Sequence, residues 1–148
     1  MARILVAVGE DEELARRQAA SVASLSVATD ASTVTVLHAF AGQTTDTTDL
    51  VETPPPSEQH PTDRHPAAIA AAEALRETGY SVEFADATGD PVSSVVEVAA
   101  DLDADAIVVG LGKRSRVGKL LFGSDTQSVL VNAGRPVLVV PPAATAED

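Results

Sequence analysis

Short apolar runs alternate along this chain with stretches in which apolar residues return every three or four positions. Arg3 to Val8, RILVAV, is a nearly unbroken apolar run closed by Gly9, and Thr33 to Ala39, TVTVLHA, is dense in β-branched residues. Both patterns predict strands. Between them Ala15, Ala19, Val22 and Ala23 fall on one helical face, Asp11 stands at the N-cap position, and Glu12 and Glu13 suit the positive end of the helix dipole. A second helix is predicted over about Arg64 to Thr78, with Ala68, Ala71, Ala72 and Leu75 on one face and Gly79 as its stop.

YSVEFADA, Tyr80 to Ala87, is the third strand. Asp90-Pro91 then gives a cap followed by proline at the first helical position, and Val92, Val95, Val96, Ala99 and Leu102 form an apolar stripe. DAIVVG, ending at Gly110, and RPVLVVPP, ending at Pro142, are two more buried strands. Strands that alternate with helices and read as continuous apolar runs belong to a parallel sheet covered on both faces. Right-handed crossovers make a doubly wound α/β sheet of five strands the economical arrangement.

Residues 41–63, AGQTTDTTDLVETPPPSEQHPTD, interrupt this rhythm with Thr, Pro and acid and offer little to bury, as a flexible loop does. Residues 143–148 read as a frayed tail. The 148 residues otherwise make one domain, large enough to bury a core of its own.

Composition narrows the function classes. With 22 acidic residues against 10 basic ones and a formal net charge of -12, the surface repels a phosphate backbone, so nucleic acid is not an expected partner. The bias toward Asp and Glu, with two lysines in the chain, is that of a halophilic, haloarchaeal-looking protein, and reads as solvent adaptation. The absence of cysteine excludes disulfides and thiolate metal sites and fits a reducing cytoplasm. His60 and His65 lie in a Pro-rich stretch and His38 stands alone, so no metal site is expected. No apolar run approaches the ~20 residues that span a bilayer, and the acidic GEDEE after the first strand is unlike a secretory signal. A cytoplasmic protein without membrane insertion is the expectation.

Against this acidity, Gly110 to Gln127, GLGKRSRVGKLLFGSDTQ, concentrates Lys113, Arg114, Arg116 and Lys119 within seven positions. Gly110, Gly112, Gly118 and Gly123 let backbone amides approach a ligand, and Ser124 with Gln127 forms a capping box that places a helix start beside them. Free amides, a positive dipole end and a hydroxyl together favour an anion. Each feature alone has a plain structural use as a turn, a cap or a solvated face. Their coincidence matters because ligands of open α/β sheets bind beyond the carboxyl ends of the strands, where the strand order reverses. If the first and fourth strands are central neighbours, that crevice lies between the loops after Val8 and after Val109.

The order and spacing of RILVAV, TVTVLHA, GDPVSSVVEVAADLDADAIVVG, the glycine loop and RPVLVVPP resemble the universal stress protein family over nearly all the chain outside residues 41–63. The resemblance implies a Rossmann-like fold with strand order 3-2-1-4-5, and commonly a dimer. One subgroup of that family binds ATP through Gly, two residues, Gly, nine residues, Gly, then Ser or Thr. On this pattern Gly110 is the first glycine, Gly123 the third and Ser124 the hydroxyl residue. Lys113 stands at the second glycine, and Gly9 stands where nucleotide-binding members usually carry an aspartate.

Ala7, Val8 and Ala39 match positions that line the adenine pocket, and Gly112, Arg116, Asp125 and Thr126 complete the candidate set around the phosphates. The resemblance thus implies a stress-response regulator holding ATP, with Mg held mainly by the phosphates, and a homodimer built through the last strand, Pro136 to Val140. An unidentified protein partner would read its state. The alternative is a nucleotide-free dimeric interaction module of the same fold. Neither His, Cys nor a carboxylate pair lies in the loop, and Asp125 suits a helix start, so at most slow ATP hydrolysis is expected.

Overall fold

The computed structural model of the chain describes residues 2–9, 11–25, 32–38, 62–86, 91–110, 113–114, 120–121, 129 and 131–141. Its centre is a five-stranded sheet of β1 (Arg3–Val8), β2 (Thr33–His38), β3 (Ser81–Asp86), β4 (Ala106–Gly110) and β5 (Val137–Val140). The spatial order is β3-β2-β1-β4-β5 and every pairing is parallel, which is the expected doubly wound arrangement.

The apolar runs are unbroken because both faces of the sheet are covered. Ile4, Val6 and Val8 of β1 pack with Val34 and Val36 of β2 beneath α1 (Glu12–Val22) and α2 (Pro66–Glu77). Leu5 and Ala7 point the other way, joining Leu37, Ile107 and Val109 under Val95 and Ala99 of α3 (Pro91–Leu102). Val129, Val131 and Asn132 are helical, and Val129 and Ala133 belong to this second layer.

Local chemistry sets the helix ends. The Asp11 carboxylate accepts the Leu14 backbone N–H at 3.1 Å, as the cap position requires. Helix α1 buries Leu14, Ala15, Gln18, Ala19 and Val22, while Ala23, expected on the apolar stripe, is its exposed C-cap. Helix α2 ends before Gly79, whose φ of +97° takes the chain out of the helix. It begins later than expected, because a residue preceding proline is pushed out of helical geometry. His65 accordingly has φ -80° and ψ 130° and serves as the cap, and Thr62–Arg64 form a short 3-10 turn before it. Among the described residues no helix is long and apolar enough to cross a membrane.

Candidate functional site

The sheet has one break, between its first and fourth strands. Pairing of β1 with β2 continues to Val8 opposite His38, and pairing of β4 with β5 continues to Gly110 opposite Val140. The β1–β4 register runs from Ile4 opposite Ala106 to Val6 opposite Val108 and stops there. The last two residues of both strands thus lie beyond the shared ladder, at the point where the strand order reverses. This is the place at which open α/β sheets receive ligands.

Helix α1 fills the base of the break. Gln18 is 1% exposed, and its side-chain Nε2 donates to the Ala7 carbonyl at 2.7 Å and, at 3.4 Å, to the Val108 carbonyl. A side chain at Gly110 would collide with this helix: a Cβ there would lie 2.7 Å from Leu14 Cδ2 and 2.9 Å from Gln18 Oε1. The first glycine of the loop therefore leaves room for the Leu14 and Gln18 side chains, whatever else it does. Gln18 is absent from the residues that the sequence marks as candidates. Its signal was a polar residue standing on the apolar stripe of Ala15, Ala19 and Val22.

The other candidate residues divide by position. Ala7 and Val8 are buried in β1, on opposite faces of the sheet, so they offer a ligand backbone and not side chain. Gly9 follows them at the mouth of the break, and Gly110 ends β4 on its other side. Lys113 belongs to a two-residue ribbon, Lys113–Arg114 pairing antiparallel with Leu120–Leu121, where a plain glycine loop was expected. Ala39, Gly112, Arg116, Gly123, Ser124, Asp125 and Thr126 lie outside the described residues.

A polar cluster adjoins the break on the β2 side. Val8, His38 and Asp86 lie in one row across the carboxyl ends of β1, β2 and β3. The Asp86 carboxylate accepts the Thr62 N–H at 2.7 Å, and the His38 N–H donates to Thr62 Oγ1 at 3.4 Å. His65 stacks on His38 with ring centroids 3.5 Å apart, and its Nδ1 accepts the Ala67 N–H at 3.2 Å. His38 is therefore not isolated, as its sequence position suggested; the turn into α2 carries His65 back to the end of β2. Among the described residues no group of three His, Asp or Glu is placed to hold a metal ion.

A parallel five-stranded sheet with helices on both faces and a crevice between its first and fourth strands defines a Rossmann-like α/β protein. The sequence matches the universal stress protein family over residues 1–141, and the chain belongs to that family. It is 32% identical over 66 residues to the universal stress protein MJ0577 of Methanocaldococcus jannaschii, a match covering 45% of this chain and 41% of that protein. The chain spans between 31% and 53% of the length of the curated relatives it matches.

Solved structures share the fold over nearly the whole chain. The universal stress protein from Archaeoglobus fulgidus in complex with dAMP has a TM-score of 0.60 at 23% identity, over 95% of this chain and 98% of that one. A universal stress protein family protein from Arabidopsis thaliana with AMP bound has a TM-score of 0.61 at 17% identity, over 97% of this chain and 94% of that one.

Proposed function

We propose that the chain is a cytoplasmic stress-response regulator that binds an adenine nucleotide in the crevice between β1 and β4. The observation that carries the reading is the end of the β1–β4 ladder at Val6 and Val108, with Gly9 and Gly110 at the two exits. The backbone at Ala7 and Val8 suits the flat apolar base. The glycines and cations after β4 suit the phosphates. The family membership and the dAMP and AMP complexes of proteins with this fold support the same ligand class.

ATP, with Mg carried by its phosphates, is the ligand that Gly110, Gly123 and Ser124 fit, while Lys113 departs from that pattern at its second glycine. Gly9, standing in place of an aspartate, removes one charge-assisted hydrogen bond, worth about 1.5 to 3 kcal/mol. That corresponds to roughly ten- to a hundredfold in affinity. Binding is accordingly modest, and sensitive to salt because it leans on cations.

A second reading has one specific observation in its favour. The packing of Leu14 and Gln18 against Gly110 accounts for that glycine with no ligand present, so a nucleotide-free interaction module would keep it too. Mass spectrometry of the protein as purified, with calorimetry against ATP and AMP, separates the two. A co-purifying nucleotide or a heat of binding at millimolar ligand supports the first reading. An empty protein silent toward both supports the second.

A further inference from the structure

We infer that Gln18 is a positioning residue for the nucleotide site: its buried carboxamide is a wedge that fixes the distance between the loop after β1 and the loop after β4. The inference rests on the nucleotide reading of the crevice and adds to it a part played by α1, a helix with no residue in the candidate set.

Three observations carry it. The first is cost: a primary amide taken from water into an apolar layer is unfavourable unless its donors are satisfied. Gln18 stands at 1% exposure among Ala15, Ala19 and Val22, where a Leu or Met would fill the same space. The second is where its hydrogen bonds go. One reaches Ala7, just past the last residue of β1 paired with β4, and the longer one reaches Val108, the last residue of β4 paired with β1. A single side chain thus bonds to both strands at the point where their own pairing ends.

The third is the far side of the amide, where Oε1 faces Gly110 so closely that a Cβ there would stand 2.9 Å away. The carboxamide therefore touches β1, β4 and the first residue of the glycine loop. Paired strands lie about 4.8 Å apart, and a carboxamide seated on the carbonyls at their ends keeps the last residues from zipping together. Gly9 follows Ala7 by two positions and Leu111 follows Gly110 directly, so the wedge sets the spacing of both loop origins.

This assigns Gln18 a selective effect. A nucleotide bridges both loops, with its nucleoside at the β1 loop and its phosphates at the β4 loop, and needs them at a fixed separation. Inorganic tripolyphosphate engages the β4 loop alone and is indifferent to that separation.

Calorimetry of wild type and Gln18→Met with ATP and with tripolyphosphate tests the assignment. Methionine keeps the volume and removes the hydrogen bonds. ATP affinity is expected to fall at least tenfold while tripolyphosphate affinity changes less than twofold. Equal losses for both ligands, or no loss for ATP, overturn the wedge. If the wild type binds no nucleotide, the functional reading fails by itself, and amide NMR of the free proteins decides the wedge. Gly9 and Gly110 should then shift in Gln18→Met while Ile4 and Ala106 stay in place, and unmoved glycines overturn it. If Gln18→Met does not fold, hydrogen exchange of the Gln18 side-chain amide in the wild type remains. Protection at least tenfold over a free primary amide is expected, and exchange at the free rate overturns the proposal.

Discussion

His65 stacks on His38 across the entrance to α2, with centroids 3.5 Å and planes 24° apart, while its own Nδ1 caps that helix through the Ala67 N–H. One side chain thereby ties the start of α2 to the end of β2. Replacing it with alanine removes a cap, worth about 1 kcal/mol, and a ring pair, worth about 0.5 to 1.5 kcal/mol. His65→Ala is expected to lose the sum of the two, whereas His65→Asp restores the cap alone and recovers about half. Urea unfolding of the three proteins measures this. A His65→Ala variant as stable as wild type would show that neither the cap nor the stack contributes, and a His65→Asp variant as stable as wild type that the stack does not.

Gly110 is held by space and not by backbone conformation, since the glycines with positive φ among the described residues are Gly79 and Gly134. An added methyl meets Leu14 Cδ2 at 2.7 Å inside a closed layer, and overpacking of this kind costs about 1 to 3 kcal/mol. Gly110→Ala is expected to lower stability by that amount. The loss should shrink in a Leu14→Ala background, where the collision is gone. Additive losses in the double variant, read by chemical denaturation, would refute the close approach of α1.

The contrast between these positions explains what the sequence could and could not show. Burial on both faces leaves an unbroken apolar signature, so β1, β2 and β4 were legible, as were the Asp11 cap and the Gly79 stop, which are strictly local. The strand order followed from crossover handedness and from the resemblance to a family. Gln18 was not legible because one polar residue on a helical stripe looks the same at the edge of a face as at its centre. The His38–His65 stack joins residues separated by a long polar segment, and no local rule predicts that meeting. Two-residue pairings such as Lys113 with Leu121 are too short to show a period. The carboxyl ends of β1 and β4 were legible as a crevice because topology alone fixes them.

The acidity of the chain leads to a salt requirement. Among the described residues the ion pairs Arg16–Glu12 and Arg135–Asp103 are 3.6 and 3.4 Å long with Arg135 alone mostly covered, and such pairs do little against the mutual repulsion behind a net charge of -12. Screening shortens from about 10 Å at 0.1 M salt to about 3 Å at 1 M, which weakens carboxylate repulsion in the compact state. The melting temperature is expected to rise by several degrees over that range. A flat response in calorimetric scans would show that the carboxylates do not oppose folding.

Strand β5 lies at the sheet edge with Val137, Leu138 and Val139 each only partly covered. An open apolar edge of this kind invites pairing, and pairing with a second copy through Pro136 to Val140 would cover it. Sedimentation at micromolar protein in high salt is expected to give a dimer. Leu138→Lys should give a monomer with an unchanged circular dichroism spectrum. A monomeric wild type, or a variant still dimeric, would place the interface elsewhere or remove it.

The cation cluster after β4 gives the most direct test of ligand class. Lys113 stands where the nucleotide-binding pattern has a glycine, so it either fills the space meant for phosphate or supplies a charge in place of a backbone amide. If the proposed nucleotide is bound, electrostatics favours the second role: a protein of net charge -12 that holds a polyanion needs positive charge close by, and acids more than about 8 Å away are largely screened at physiological ionic strength. Its backbone, paired with Leu121, anchors it in a ribbon three positions past Gly110, close in sequence to the crevice. Removing a charged phosphate contact costs about 1.5 to 3 kcal/mol, so Lys113→Ala and Arg116→Ala are each expected to weaken ATP binding roughly ten- to a hundredfold. Adenosine binding should be unaffected, because adenosine carries no phosphate. Calorimetry with ATP and adenosine reads both. Stronger ATP binding by Lys113→Ala would show that lysine occludes the site and that a glycine there would have opened it.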